Sequence, residues 1–348
     1  MTVAVAIVGA GRMGQMHAAN LRAIAGVRIV AVADVQRPAA EALAAADGAA
    51  AFADYREMLE RARPDLVYLC TSAFDHAEPM IFAAERGINL FVEKPLAASI
   101  TDARRAVEAV ERHGVLCTVG YQWRYNPATD AAREVLADLP IALLAGWWYW
   151  TIPPVPWFRD KRWGGGQIFD QATHLTDLMR LVAGEVGQVY AAYTRNAVPE
   201  AELPNWDANV VSLTFSSGAV GSVHTTYALF PGIPNSNGVD IAARDLLARV
   251  NLGRATLFRP GVEPRVVDAP EGWNIDQAFI PIVRRNDPAA IRSTARDAMH
   301  SLAVTLAANY AAVTGRVVDL ADFLARPPTD AAIMPSERPP FAPAAGER

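Results

Sequence analysis

The sequence is poor in the features that mark special classes of chain. Two cysteines among 348 residues exclude a disulfide scaffold. Positive charge is not in excess either: 32 Lys and Arg stand against 37 Asp and Glu, a formal net charge of -5, with the arginines scattered singly or in pairs. A polyanion finds no basic footprint, so nucleic acid is excluded as a partner. With 52% hydrophobic and 20% charged residues, collagen-like and wholly disordered readings fall away. One long run lacks charge, from Pro140 to Phe158, but Pro140, Pro153, Pro154 and Pro156 interrupt it. It reads as a strand and a proline-rich loop, not a membrane span. The start, MTVAVAIVGAGRMG, has no basic leading region and is not read as a secretion signal. Cys70 and Cys117 sit in apolar surroundings (LVYLC, VLCTV) without CxxC or a Cys/His cluster. Reduced, buried thiols in a soluble cytoplasmic protein are expected, with no membrane partner.

What is present is alternation. At ~150 residues per domain the length predicts about two domains. Apolar runs alternate with amphipathic ones in the first 120 residues: VAVAIV, RMGQMHAANLRAI; RIVAVAD, PAAEALAAA; DLVYLC, HAEPMIFAAERG; NLFVEK, TDARRAVEAVERHG; VLCTVG. That pattern predicts an α/β domain with a doubly wound parallel sheet, its helices capped by Ser99 or Thr101 and ended by Gly87 and Gly114. After Asn126-Pro127 come one or two helices, then LLAGWWYWT, QVYAAYT, ANVVSLTF, VGSVHTTYAL, DLLARVNL and ATLFRP without intervening helices. They predict a second, α+β domain with a large open, mostly antiparallel sheet. A helix from about Thr294 to Thr314, ended by Gly315, is expected to pack on a sheet. The boundaries expected are 1–122 for the first domain, 123–326 for the second and 327–348 for a proline-rich tail.

Gly9-Ala10-Gly11-Arg12-Met13-Gly14 follows the first strand and opens a helix, and Asp34 ends the second strand 20 residues on. This is the dinucleotide fingerprint, with amides and a positive dipole end for a pyrophosphate and a carboxylate for the ribose hydroxyls. Asp34 would repel a 2′-phosphate, so NAD is favoured over NADP, with Arg37 as the reservation. Glu93-Lys94-Pro95 ends the fourth of these strands, at the carboxyl edge where open parallel sheets bind ligands. Lys94 has the charge to hold a substrate hydroxyl or move a proton. In GGGQIFDQATHLTDL, Asp170, His174 and Asp177 are spaced i, i+4, i+7 and share a face if the segment is one helix. A carboxylate one turn from an imidazole can tune it as an acid or base near neutral pH, whereas Asp177 is taken as structural. His17, His113, His224 and His300 lack partners at ligand spacing, and no metal site is expected.

With GAGRMG, EKP, GYQWRYNP at 120–127 and GGGQIFDQATHLTDL in hand, the chain resembles the Gfo/Idh/MocA oxidoreductases over roughly residues 3 to 320. The resemblance implies a Rossmann domain holding NAD(P), a second domain whose sheet binds substrate and mediates a homodimer or homotetramer, and a Lys94, Asp170, His174 catalytic set. It further implies that Thr71 and His76 border the cofactor, that Gln122 lies near the nicotinamide, and that Glu93 joins the cofactor residues. Arg124 and Trp163 are expected on the rim of the site. Trp157 and Trp163 are the aromatic candidates for a sugar or cyclitol face, whereas Trp147, Trp148 and Trp150 are expected to pack in the sheet or an interface. The function expected is hydride transfer between NAD and a secondary hydroxyl of a sugar, polyol or cyclitol. A redox-neutral NAD-dependent glycosidase and a non-catalytic dinucleotide sensor are the alternatives.

Overall fold

The computed structural model describes residues 2–154, 156–160, 164–234, 236–329 and Ile333. The proline-rich tail falls outside the described residues from 330 onward, Ile333 excepted. The chain packs as two compact units, Met1–Asn126 with Pro270–His300 and Pro127–Ala269 with Ser301–Arg348.

In the first unit, β1 (Val3–Val8), β2 (Val27–Ala33), β3 (Ala50–Phe52), β4 (Leu66–Leu69), β5 (Asn89–Val92) and β6 (Cys117–Val119) form a parallel sheet in the order β3-β2-β1-β4-β5-β6. Strands covered on both faces have no use for alternation, and Leu66 to Leu69 and Leu90 to Val92 are all fully buried. Helices Arg12–Arg22, Arg37–Ala45, Tyr55–Ala62, Ala77–Ala84 and Ile100–His113 connect them. The last is capped by Ser99, whose hydroxyl accepts the Asp102 N–H, and closed by Gly114 in the left-handed region. Sequence alternation misses β3 and the helix after it because the strand has three residues and the helix buries only Met58 and Leu59. Glu93-Lys94 therefore follows the fifth strand rather than the fourth, and Thr71 and His76 follow the fourth. The order reverses at β1 and β4, and this switch point directs ligands to the carboxyl edge there.

Pro270–His300 completes this unit from far along the chain. Helix Ile275–Arg285 sends Ile275, Phe279, Ile280 and Ile282 into the cluster formed by Ile7, Leu21, Ile29 and Phe91, and the Phe279 ring lies 6.0 Å from that of Phe91.

The second unit is built on a nine-stranded sheet. Its strands are β7 (Ile141–Tyr149), β8 (Val186–Thr194), β9 (Ala208–Phe215), β10 (Val220–Thr226), β11 (Asn237–Ala243), β12 (Leu246–Asn251), β13 (Arg254–Phe258), β14 (Arg265–Asp268) and β15 (Val318–Asp319). Their order is β14-β13-β12-β11-β7-β10-β9-β8-β15, antiparallel except for the β7–β10 pair. The registers align Trp148, Thr225, Asn209 and Tyr193 as one rung. One residue along, Trp147, His224, Val210 and Ala192 form the next rung, on the opposite face. Cys70 and Cys117 are free and buried, and burial pushes the Cys117 thiol up to about 12. Among the described residues no helix is long and apolar enough to cross a membrane.

Removing the Phe279 side chain leaves a cavity in the first unit. Phe279→Ala is expected to cost about 3–5 kcal/mol, read as a lowered urea midpoint at unchanged slope. A midpoint equal to wild type would show that the return segment is not part of that core.

Candidate active site

The glycine-rich turn lies at the carboxyl edge of β1. A Cβ on Gly14 would stand 2.0 Å from the Gly9 carbonyl oxygen, and one on Gly9, whose φ is +96°, 2.7 Å from the Cys70 oxygen. Gly14 excludes a side chain so that helix Arg12–Arg22 can sit directly on the strand, and Gly9 so that the turn can pass against the chain leaving β4. Around a Cβ on Gly11 there is open space. Gly11 is also the N-cap, with no side chain capping the helix and no acid in its first turn. The amides of Arg12, Met13 and Gly14 point out of the helix end with no intrahelical acceptor. Beside this turn the Thr71 hydroxyl is buried without a hydrogen-bond partner. An open cradle, a positive helix end and an orphaned hydroxyl fit a dinucleotide.

Asp34 does more than the ribose role expected of it. One carboxylate oxygen accepts the Ala10 N–H and the other the Gln36 N–H, each at 2.8 Å. The carboxylate thus ties the glycine turn to the end of β2, and lone pairs remain on both oxygens for ribose hydroxyls. Arg37 is the first residue of a helix, and its exposed guanidinium pairs with Glu41 one turn on.

His76 is fully buried, with Nδ1 3.0 Å from the Pro95 carbonyl and Nε2 3.2 Å from that of Thr71. Burial pushes its pKa below the ordinary value, so a neutral ring donates to one carbonyl at a time and pins the Thr71 loop to the loop after β5. Gln122 opens a short 3₁₀ turn, Gln122–Tyr125. Arg124, expected on a rim, is instead buried: its guanidinium pairs with Asp297 at 2.6 Å and donates to the Arg292 carbonyl.

His17 was given no partner by sequence spacing, because both of its partners are remote in the chain. It is fully buried, Nδ1 lies 2.8 and 3.0 Å from the two Asp276 oxygens, and Nε2 lies 2.9 Å from Glu93 Oε1. Burial opposes its charge, but the hydrogen bonds and charges of Asp276 and Glu93 outweigh that and lift its pKa from 6.5 to about 10. His17 is therefore an imidazolium at neutral pH.

In the second unit the segment carrying Asp170 and His174 is not one helix. Helix Gln167–Asp170 ends, Gln171 and Ala172 turn, and helix Thr173–Ala183 begins. Gly165 and Gly166, both at positive φ, turn the chain into the first helix, and the turn at Gln171 and Ala172 separates it from the second. Gln167 Nε2 reaches the Trp148 and Thr226 carbonyls and Gln171 Oε1 at 3.0 to 3.3 Å, tying the segment to the ends of β7 and β10. Tyr193 donates to Asn309, which donates to the Gly165 carbonyl. His174 is 5% exposed. The Trp148 ring stacks on its imidazole with centroids 6.1 Å apart at 22°. Trp148 thus borders the candidate base instead of merely packing in the sheet, whereas Trp147 faces the other way. Asp177 is structural: it accepts from Ser301, which also accepts from Arg180, fixing the helix that bears His174. Tyr227, absent from the sequence candidates, is buried just past the end of β10, where burial and the nearby Asp170 charge hold its phenol well above the ordinary pKa. Period-2 alternation through TTYAL was the available signal for it. Trp163 lies outside the described residues, as does the side chain of Trp157 in helix Pro156–Arg159. Among the described residues no group of three or more His, Cys, Asp or Glu could hold a metal ion.

Comparison with known proteins agrees with this architecture. Residues 3–121 match the model of the oxidoreductase family with an NAD-binding Rossmann fold, and residues 141–237 that of the GFO/IDH/MocA C-terminal domain. The chain is 31% identical over 278 residues to inositol 2-dehydrogenase of Rubrobacter xylanophilus, covering 78% of this chain and 77% of that one. It is 32% identical over 230 residues to scyllo-inositol 2-dehydrogenase (NAD(+)) of Bacillus subtilis, covering 64% and 66%. The chain spans just under two thirds of the length of the Bacillus subtilis relatives it matches. The crystal structure of GenD2 from gentamicin A biosynthesis, in complex with NAD, superposes with a TM-score of 0.78 at 25% identity, covering 91% of this chain and 96% of that one.

Two measurements follow from this geometry. Asp34→Ala is expected to weaken NADH binding more than NADPH binding in fluorescence titrations, and an unchanged preference would reject the ribose role. The raised pKa of His17 makes its stabilisation complete below about 6.5 and lost as pH rises through about 10. Unfolding free energy should thus decline over that window in wild type and less steeply in His17→Gln, and parallel profiles would show that His17 is not the group.

Proposed function

Given that the chain belongs to the GFO/IDH/MocA oxidoreductase family, we propose that it is an NAD-dependent dehydrogenase or reductase acting on a secondary hydroxyl or carbonyl of a sugar, polyol or cyclitol. The observation that carries this reading is the glycine turn that leaves its helix end open to a dinucleotide, in a chain that also carries Lys94, Asp170 and His174. When bound, the nicotinamide supplies the hydride-exchanging centre. The chain's part is to bind the cofactor and to hold or move the hydroxyl proton.

Gly9, Gly11, Arg12, Met13 and Gly14 hold the pyrophosphate by backbone amides, Asp34 holds the adenosine ribose, and Thr71 and Gln122 complete the cofactor contacts. Lys94, at the carboxyl end of β5, binds and polarises the substrate oxygen. His174 takes the hydroxyl proton, its ring plane set by Trp148. Asp170 serves as the carboxylate of the set, and Tyr227 keeps its phenolic proton beside it. The names of the inositol dehydrogenases similar to this chain support a cyclitol or sugar substrate.

A homodimer or homotetramer forms through the second unit's sheet in this reading. Leu143, Tyr190, Val210 and Val220 stand 43 to 49% exposed on its outer face, and Leu143 and Val220 are cross-strand neighbours. The free, buried cysteines support a cytoplasmic location.

The purified protein should reduce NAD with at least one member of a panel of inositols, aldoses, alditols and glycosides. His174→Ala and Lys94→Ala should each lower turnover by about 10²-fold or more while NADH binding stays within about twofold. Wild-type turnover in either variant would remove that residue from the mechanism. Release of free sugar from a glycoside without net NADH would identify the glycosidase chemistry instead.

A further inference from the structure

We propose that Asp276, His17 and Glu93 form a buried positioning relay that fixes the Glu93–Lys94 backbone, so that the aim of Lys94 is set from helix Ile275–Arg285. This rests on the dehydrogenase reading for the consequence of that aim, though not for the relay itself. Both Glu93 oxygens are engaged by the chain. Oε1 accepts from His17 Nε2 at 2.9 Å, and Oε2 accepts the Lys94 N–H at 3.2 Å. Gly120 keeps the slot open, since a Cβ there would lie 3.2 Å from Glu93 Oε1. The Glu93 side chain thus turns back into its own unit, and its role is to position the residue that follows it.

At the far end, Asp276 is held on two sides. His17 Nδ1 contacts both its oxygens, and Asn20 Nδ2 donates to Oδ2 at 2.8 Å. The rings of Tyr68 and Phe91 wall the imidazole at 5.2 and 4.8 Å. They offer His17 an apolar surround and so confine its two N–H groups to the carboxylates. Three charges gathered in such a place are costly to desolvate and, replaced by packed apolar groups, are often no loss to stability. Geometry is the remaining advantage: an imidazolium with two fixed donors holds both carboxylates in one register.

The test uses a peculiarity of composition. The chain contains only two lysines, Lys94 and Lys161. Limited acylation with acetic anhydride followed by peptide mass spectrometry therefore reads Lys94 against Lys161 as an internal reference. In full-length Asp276→Asn and His17→Gln, the Lys94 to Lys161 labelling ratio is expected to change by about threefold or more from wild type. On the substrate found with the panel, kcat is expected to fall about tenfold, with NADH affinity within about twofold. A purely structural defect would lower the active fraction and leave that ratio in the folded protein unmoved. If neither variant folds, Glu93→Gln, which keeps the side chain's shape, carries the same readouts. Labelling ratios equal to wild type overturn the relay, and a changed ratio with unchanged kcat overturns its link to the reaction. A wild-type chain silent on every substrate would count against the dehydrogenase reading alone, leaving the labelling ratio to decide the relay.

Discussion

The close seating of helix Arg12–Arg22 on β1 is the constraint from which the first unit's chemistry follows. Because Gly14 brings the helix backbone against Gly9, the helix end faces the carboxyl edge of the sheet with its amides exposed. One turn further in, the same seating delivers His17 to the space beneath the ends of β4 and β5, where Glu93 meets it. Anion recognition and the fixing of the EKP loop are thus two outcomes of one packing contact. Asp34 reinforces that contact from the side through the Ala10 amide.

In the second unit the pleat of the sheet plays the corresponding role. The rung of Trp148, Thr225, Asn209 and Tyr193 presents its side chains to the helices. Trp148 meets the His174 ring, Gln167 caps the strand ends, and Tyr193 reaches the glycine segment through Asn309. The broken helix is held by the sheet below it and not by its own hydrogen bonds alone. The same alternation sends Trp147 and Val210 outward, so one register sets both the site face and the exposed face.

Legibility in the sequence followed the range of the interactions. The glycine turn, Asp34, a helix cap at Ser99 or Thr101 and the alternation of strands and helices depend on neighbours within a turn or a βα unit, and all were readable. The edge strand β3 was not, being three residues long, and β11 lacked the alternating apolar pattern that exposed its neighbours. His17 looked like an ordinary helix residue because Glu93 and Asp276 reach it only through the fold. A shared face for Asp170, His174 and Asp177 depends on one helix, and the turn at Gln171 and Ala172 that divides the segment is not revealed by i, i+4 spacing. The contact of Trp148 with His174 was not legible, because alternation tells which residues share a face but not what lies opposite them.

The return of Pro270–His300 to the first unit has a consequence for biosynthesis. On the ribosome the sheet strands β1 to β6 emerge long before Ile275, Phe279 and Asp276 exist to cover and neutralise them. Until then the nascent unit carries an uncovered apolar cluster around Phe91 and an imidazole with half its carboxylate partners, while β7 to β14 of the second sheet are being made. The two units are interleaved along the chain, and the first can close its core only after most of the second has been made.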